Sequence, residues 1–214
     1  MSERAAEGAP TLLVATANQG KLRELRALIQ GFSLISLRDV GIDDLDEPFA
    51  DYRSNATAKA LEASRRSGLL ALADDSGLEV DALGGAPSWF SARFGGVHGR
   101  DQANRETLVA ALDGVEAAAR TARFRCCVAV ADCKGPLGER VILGVGTCGG
   151  RVLDAPRGSG GFGYDPLLVP DGFDETLAEL DESVKNSLSH RARAIVAVMP
   201  GLRAYVSASR GVRS

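Results

Sequence analysis

Two adjacent aspartates that follow an apolar run are the residues of this sequence best suited to chemistry. Leu69–Ala73 has the length and bounds of a buried strand, and Asp74 and Asp75 come directly after it. Two neighbouring carboxylates repel each other unless a cation, a proton or a basic side chain separates them. The residue pattern leaves two interpretations open: a solvated acidic turn, or a site for a hard divalent cation, which favours oxygen ligands.

The residues after the aspartates predict a turn and then a second strand. Ser76 and Gly77 are typical turn residues, and Gly77 can adopt the tight backbone geometry needed beside a ligand. Alternation then resumes, with Leu78 and Val80 on one face. A helix over about 54–67 precedes the apolar run, and its Lys59 would offset the repulsion of the two carboxylates if the helix packs beside the strand. The alternative is a solvated lysine.

A second candidate site lies near the beginning of the chain. Thr11–Thr16 reads as a buried strand, a short polar turn follows, and apolar residues then recur at helical spacing. A strand–turn–helix arrangement directs free N–H groups and the positive end of the helix dipole at whatever occupies the turn. A phosphate-binding turn and a capped helix with a surface lysine are the two interpretations. The candidate residues are Thr16, Ala17, Asn18, Gln19, Gly20 and Lys21.

The third candidate site combines a glycine-rich loop with a basic helix end. Residues 157–166 carry Phe162 and Tyr164 among glycines that let the backbone approach a ligand closely. Further along, Lys185, His190 and Arg191 form a donor-rich cluster that suits a carbonyl edge of a base or a phosphate. A flexible loop and an exposed polar helix face are the alternatives. We expect Pro200 and Gly201 to end this last helix.

The remaining elements predict an α/β fold with a mixed sheet. Residues 32–40 supply a second strand, and an acidic loop containing Glu47 follows it. Asp101 reads as the N-cap of a helix that ends at Leu112. Strands over 122–131 and 141–148 are joined by a glycine-containing turn and predict an antiparallel hairpin. Strands that alternate with helices, together with a hairpin, favour this fold class.

Composition excludes several classes of function. The chain has 214 residues, 45% of them hydrophobic, which fits one soluble domain or one domain with two lobes. A net charge of −3 provides no general electrostatic attraction to nucleic acid or to anionic membranes. Four cysteines without a CxxC pair and only two histidines argue against a zinc site. Any metal should be held by carboxylates, which favours magnesium or manganese.

Several segments, taken in order, resemble the inosine triphosphate pyrophosphatase family, whose members hydrolyse non-standard purine nucleoside triphosphates. The matching segments span about residues 11–205: Thr16–Lys21, Asn55 with Lys59, Ala73–Leu78, Gly84–Pro87, Ser91–Phe94, Gly160–Pro166 and Ser189–Arg191. Each motif alone is modest, and the ordered set is highly specific.

The resemblance implies a magnesium-dependent enzyme, with manganese as the alternative metal, that converts ITP, dITP and XTP to the monophosphate and pyrophosphate. It implies an elongated, two-lobed α/β fold around a mixed sheet with flanking helices, a cytoplasmic homodimer, and no nucleic-acid or membrane partner. Residues 1–10 would be a disordered extension, 11–205 a single pyrophosphatase domain with two lobes, and 206–214 a C-terminal tail.

The resemblance also implies roles for individual residues. Asp75 would be the general base and a metal ligand, supported by Asp74 and Lys59, with Glu47 as the acidic partner on the metal. The turn at 16–21 would bind the triphosphate. The residues implied to contact the remaining parts of the substrate are Ser76, Phe162, Gly163, Tyr164, Asp165, Lys185, His190 and Arg191.

One departure from the family leaves alternatives open. Ser54 stands where the family usually has a glutamate before Asn55, and this puts metal affinity in question. A non-catalytic nucleotide sensor, in which this departure has disabled the metal chemistry, is therefore one competing hypothesis. A pyrophosphatase for pyrimidine nucleotides is the other, and the segments 162–165 and 189–191 argue against it.

Overall fold

The computed structural model describes residues 8–211, which form an α/β fold around a mixed six-stranded sheet, as predicted. The strands are β1 (Thr11–Val14), β2 (Ser33–Ser36), β3 (Ala71–Val80), β4 (Thr121–Ala131), β5 (Val141–Val152) and β6 (Leu168–Pro170). The helices are α1 (Gln19–Leu28), α2 (Tyr52–Ser67), α3 (Asp101–Ala111), α4 (Glu182–Leu188) and α5 (His190–Gly211). Strand order is β2-β1-β3-β4-β5-β6; β1 pairs in parallel with β2 and β3, and β5 is antiparallel to β6.

The described residues fall into two compact units. Unit 1 contains residues 8–75, 127–145 and 194–211, and unit 2 contains residues 76–126 and 146–193. Most of the predicted N-terminal extension, residues 1–7, lies outside the described residues, as do residues 212–214 at the end of the predicted tail. No helix between residues 8 and 211 is long and apolar enough to cross a membrane.

The parallel pairing of β1 with β3 organises unit 1. Leu13 pairs with Ala71 and Val14 with Leu72, and these residues are almost fully buried. Because β1 ends at Val14, opposite Leu72, the turn after β1 lies beside the residues of β3 that follow Leu72. Unit 2 has its own core, in which Tyr164 packs with apolar residues of β3, α3 and β4.

The predicted turn at Ser76 and Gly77 is wrong, since β3 continues through both residues to Val80. Glycine is required at position 77 for another reason. A Cβ atom there would lie 2.1 Å from the carbonyl oxygen of Ser88 and 2.7 Å from Oγ of Ser91. The glycine therefore admits a neighbouring backbone segment to the strand, a role that strand glycines commonly have.

The predicted end of the last helix at Pro200 is also wrong, because α5 continues through Pro200 to Gly211. Val198 and Leu202, four residues apart on one face, are both fully buried. This burial on both sides of the proline holds the helix together despite the hydrogen bond that proline removes. Residues 206–211 of the predicted tail accordingly belong to α5.

We predict that Gly77→Ala lowers the free energy of unfolding by about 1–3 kcal/mol, the usual cost of overpacking. The clash is with a backbone carbonyl, which cannot rotate away as a side chain can. Urea unfolding of parent and variant measures the difference, and equal midpoints would contradict the close approach of Ser88.

Candidate active site

Unit 1 buries two carboxylates in β3. Asp74 is fully buried and Asp75 is 3% exposed. Burying a charge is costly unless it is paired and hydrogen-bonded, so the surrounding groups decide which interpretation of the acidic pair applies. The burial excludes the solvated acidic turn that the sequence left open.

Two lysines compensate this buried negative charge. Lys21 Nζ lies 3.1 Å from Asp74 Oδ2. Lys59 Nζ donates to Glu47 Oε1 at 2.5 Å and to the Asp74 carbonyl oxygen at 2.7 Å. The sequence predicted that Lys59 would reach the acidic pair, and the structure brings it to the Asp74 backbone and to Glu47. Lys21, assigned from sequence to the phosphate turn, is also an ion-pair partner of Asp74.

Asn55 connects the acidic loop to Asp75 and was missed as a site residue by the sequence. Its Oδ1 accepts the Phe49 N–H at 2.8 Å, and its Nδ2 donates to the Phe49 carbonyl at 2.9 Å and to Asp75 Oδ2 at 3.0 Å. Asn55 is 1% exposed. The available signal was its position four residues before Lys59 on the same helical face.

The pKa shifts of Asp75 and Glu47 have opposite signs. Burial raises the pKa of the Asp75 carboxyl above its usual value, although Lys59 and Lys21 attract its charge. Burial also acts to raise the pKa of Glu47, but its ion pair and hydrogen bond with Lys59 outweigh burial and lower it. A buried carboxylate with a raised pKa suits a general base, because it holds an abstracted proton more readily.

The turn before α1 presents backbone groups next to this cluster. Thr16 Oγ1 accepts the Asn18 N–H at 3.2 Å, and Asn18 Oδ1 caps the helix by accepting the Lys21 N–H at 3.0 Å. Ala17, Asn18 and Gln19 are exposed, whereas Gly20 is buried. An exposed helix N-terminus beside a lysine is suited to bind an anion such as phosphate.

Glu47 and Asp75 are the carboxylates that fit a hard metal. Each feels the charge of Lys59 and Lys21, and the charge of Glu47 raises the pKa of Asp75, so a cation between them would relieve their repulsion. Within residues 8–211 no three His, Cys, Asp or Glu side chains are grouped closely enough to hold a metal ion. Magnesium is compatible with one or two carboxylates because it usually keeps several waters and binds substrate phosphates.

Ser54, the departure from the family pattern, lies in the first turn of α2. Its backbone N–H donates to Asp51 Oδ1 at 2.8 Å, so Asp51 is the N-cap of the helix. The acidic side chain that pairs with Lys59 is Glu47, which lies in the preceding loop. Position 54 thus takes part in helix capping.

Unit 2 holds the second group of candidate residues around a half-buried aromatic ring. Lys185 Nζ lies 5.2 Å and Arg191 Cζ 5.7 Å from the centre of the Phe162 ring. Arg191 is 1% exposed, and its Nη2 donates to Ser76 Oγ at 3.0 Å. His190 stacks on Phe124 with ring centres 4.6 Å apart. Two cationic side chains thus lie at the face of one aromatic ring, where each gains a cation–π attraction.

Asp165 and Tyr164 have structural contacts in the same unit. Asp165 Oδ2 accepts from Lys185 Nζ at 2.6 Å and from the Phe162 N–H at 2.8 Å. The Tyr164 hydroxyl donates to the Ser91 carbonyl at 2.8 Å, and burial raises the pKa of that hydroxyl. Asp165 orients Lys185 and the loop, while the Tyr164 ring belongs to the core.

Proteins of known family match this chain over most of its length. The family model of the Ham1 family matches residues 12–200. The chain is 45% identical over 199 residues to the dITP/XTP pyrophosphatase of Desulforamulus reducens, covering 91% of this chain and 97% of the relative. It is 46% identical over 198 residues to the dITP/XTP pyrophosphatase of Methylococcus capsulatus, covering 90% and 96%.

Solved structures match the fold over similar lengths. A HAM1 protein from Coxiella burnetii superposes with a TM-score of 0.81 at 32% identity, covering 91% of this chain and 98% of the other. A nucleoside-triphosphatase / dITP/XTP pyrophosphatase from Mycobacterium abscessus superposes with a TM-score of 0.70 at 41% identity, covering 89% and 99%.

We predict that Asp75→Asn stabilises the protein at pH 8 and that this gain disappears towards pH 4. The pKa of Asp75 is raised by folding, so its contribution to stability is present when it is protonated and is lost as pH rises through the folded-state pKa. Asparagine carries no charge and keeps an acceptor for Asn55. Thermal unfolding across this pH range measures the effect.

Glu47→Gln is the matched control with the opposite sign. The pKa of Glu47 is lowered by folding, so its ionised form stabilises the protein above its usual pKa, and that contribution is lost as pH falls through the folded-state pKa. The variant should melt below the parent at pH 8 and approach it in acid. Shifts of the same sign in both variants would contradict the electrostatic assignment.

Proposed function

We propose that this chain, which belongs to the Ham1 family, is a nucleoside triphosphate pyrophosphatase that hydrolyses ITP, dITP and XTP to the monophosphate and pyrophosphate. The observation that carries the proposal is the buried cluster of Asp74, Asp75, Lys21 and Lys59 beside a helix N-terminus. The full-length similarity to dITP/XTP pyrophosphatases supports it. We further propose a cytoplasmic homodimer that removes these nucleotides from the pool.

The charges of unit 1 support binding of the triphosphate. A triphosphate brings about four negative charges to a weakly acidic protein, so its recognition requires local positive groups. The exposed N-terminus of α1 and Lys21 supply them. Lys59, which contacts the Asp74 backbone, holds the acidic loop through Glu47 and adds positive charge to the cluster.

Asp75 is the general base of the proposed reaction. It takes a proton from a water molecule as the water oxygen attacks the α-phosphorus. The bond between the α-phosphorus and the bridging oxygen to the β-phosphorus breaks, and pyrophosphate leaves with that oxygen. Asn55 fixes the orientation of the Asp75 carboxylate, and Asp74 helps retain the lysines, whose charges act against burial to lower the pKa of Asp75.

Glu47 and Asp75 would hold magnesium, with manganese as the alternative. When bound, the metal polarises a phosphoryl oxygen and neutralises charge that develops in the reaction. The acidic loop and β3 are joined through Asn55, so the two carboxylates are kept in a defined relation without the metal.

The donor-rich cluster of unit 2 supports recognition of the purine base. Hypoxanthine and xanthine carry a carbonyl at C6, where adenine carries an amino group. Lysine and arginine can only donate hydrogen bonds, so Lys185 and Arg191 would be satisfied by a carbonyl. An amino group offers these cations no acceptor, so it forfeits a hydrogen bond to a charged group, worth about 1.5–3 kcal/mol. The Phe162 ring offers a stacking face.

We predict that the purified protein with magnesium releases pyrophosphate from ITP and XTP at least about tenfold faster, as kcat/KM, than from ATP, because ATP forfeits one hydrogen bond to a charged donor. Pyrophosphate release from ITP, XTP, ATP and dTTP measures this preference. Preference for dTTP would indicate a pyrimidine pyrophosphatase. Nucleotide binding without any release would indicate a sensor.

We predict that Asp75→Asn folds and loses about 10²–10⁴-fold in kcat, the usual contribution of a general base. The amide can neither take the proton nor bind the metal well. Single-turnover assays at pH 8, where the variant should be at least as stable as the parent, separate chemistry from folding. Parental turnover in the folded variant would remove Asp75 from the mechanism.

A further inference from the structure

Helix α3 holds one residue of the glycine-rich loop through both of its backbone polar groups. The Gly163 N–H donates to Asp101 Oδ2 at 2.7 Å, and Arg105 Nη1 donates to the Gly163 carbonyl at 2.7 Å. Asp101 and Arg105 are four residues apart, so both side chains lie on one face of the helix. Both hydrogen bonds involve a charged group, which makes them stronger than neutral ones.

The sequence predicted a different role for Asp101, as the N-cap of this helix, and that prediction is wrong. Arg100 is the N-cap residue, and Asp101 is the first residue of α3. The Asp101 side chain accepts a hydrogen bond from Gly163, which lies 62 residues further along the chain. The contact is therefore a tertiary one that does not close the helix end.

The residue that α3 holds is adjacent to the aromatic ring of the base site. Gly163 has φ +60°, a left-handed conformation that lets the loop turn directly after Phe162. The Phe162 N–H is held on the other side by Asp165, which also binds Lys185. The backbone that carries the ring is thus held twice, by α3 at Gly163 and by Asp165 at Phe162.

Helix α3 is itself fixed to the protein. Asn104, between the two loop-binding residues, is 2% exposed. Its Oδ1 accepts the Gly95 N–H at 2.7 Å, and its Nδ2 donates to the Ala92 carbonyl at 3.2 Å. Leu108 is fully buried in the core of unit 2. The helix can therefore serve as a rigid support for the loop.

We propose that Asp101 and Arg105 are positioning residues for the base: they fix the Gly163 peptide and so hold the Phe162 ring where Lys185 and Arg191 can act on a stacked purine. This role rests on the proposed function of the site. It requires no contact between either residue and the substrate. In the alternative interpretation, Asp101 is only an acidic residue that favours the first turn of the helix, and Arg105 is only a surface arginine.

The test compares two disrupting variants, Asp101→Ala and Arg105→Met, with two conservative ones, Asp101→Asn and Arg105→Lys. Methionine keeps the aliphatic stem of arginine but has no donor, and asparagine keeps an acceptor without the charge. Gln102→Ala is the matched control on the same helix, because Gln102 bonds Glu106 and lies on the surface.

We expect the disrupting variants to raise KM for ITP about tenfold, with kcat within about twofold of the parent, and to lower the ITP/ATP ratio of kcat/KM. Asparagine and lysine should restore most of the parental KM, and Gln102→Ala should leave it unchanged. Inhibition by tripolyphosphate, which lacks a base, should be the same in all variants. Parental KM and ITP/ATP ratio in the folded disrupting variants would overturn the proposal.

Two further outcomes are decisive. A loss of tripolyphosphate inhibition equal to the loss of ITP affinity would also overturn the proposal, because the effect would not be specific to the base. If the parent hydrolyses none of the nucleotides, the proposed function fails. Calorimetric binding of IMP then tests the positioning role separately, with weaker binding expected in Asp101→Ala and Arg105→Met and equal binding overturning it.

Discussion

The burial of two adjacent carboxylates in a central strand is the constraint that shapes unit 1. Asp74 and Asp75 have lost nearly all contact with water, and an ionised carboxylate in such a place needs compensating charge and hydrogen bonds. Lys21 supplies the charge from α1, Lys59 supplies it from α2, and Asn55 supplies an amide donor. The parallel pairing of β1 with β3 makes this possible, because it brings the start of α1 to the end of the apolar run.

The compensation is incomplete at Asp75, and the proposed function gives that incompleteness a chemical use. The lysines outweigh burial at Glu47 and lower its pKa, whereas burial outweighs them at Asp75 and raises its pKa. A fully compensated carboxylate would bind a proton poorly and would be a weak base. In the proposed reaction the cluster would give up some stability to keep one carboxylate basic, as active sites commonly do. The acidic loop, tied to Asp75 through Asn55, keeps the second carboxylate nearby.

The α/β class, the mixed sheet and most elements could be predicted from apolar periodicity, but local turn chemistry misled in two places. Ser76 and Gly77 are good turn residues, yet β3 runs through them because Gly77 makes room for the Ser88 backbone. Pro200 is a strong helix breaker, yet α5 continues because Val198 and Leu202 are both buried. In each case long-range packing outweighed a local preference, and packing partners are not visible in a local pattern.

The contacts of a polar side chain were harder to predict where a feature close in sequence, such as a helix start, already accounted for the residue. An aspartate at a helix start reads as a cap, and Asn55 was noted only as a neighbour of Lys59 on one face of an alanine-rich helix. Asp101 and Asn55 instead bond to residues 62 and 20 positions away. Asn104, on α3 with Asp101, is likewise buried against two backbone groups of another segment. Polar side chains on the buried face of a helix thus mark where the helix holds a loop. In this protein the loops held by Asn55 and Asp101 carry Glu47 and Phe162, the acidic and aromatic residues that the proposed chemistry needs.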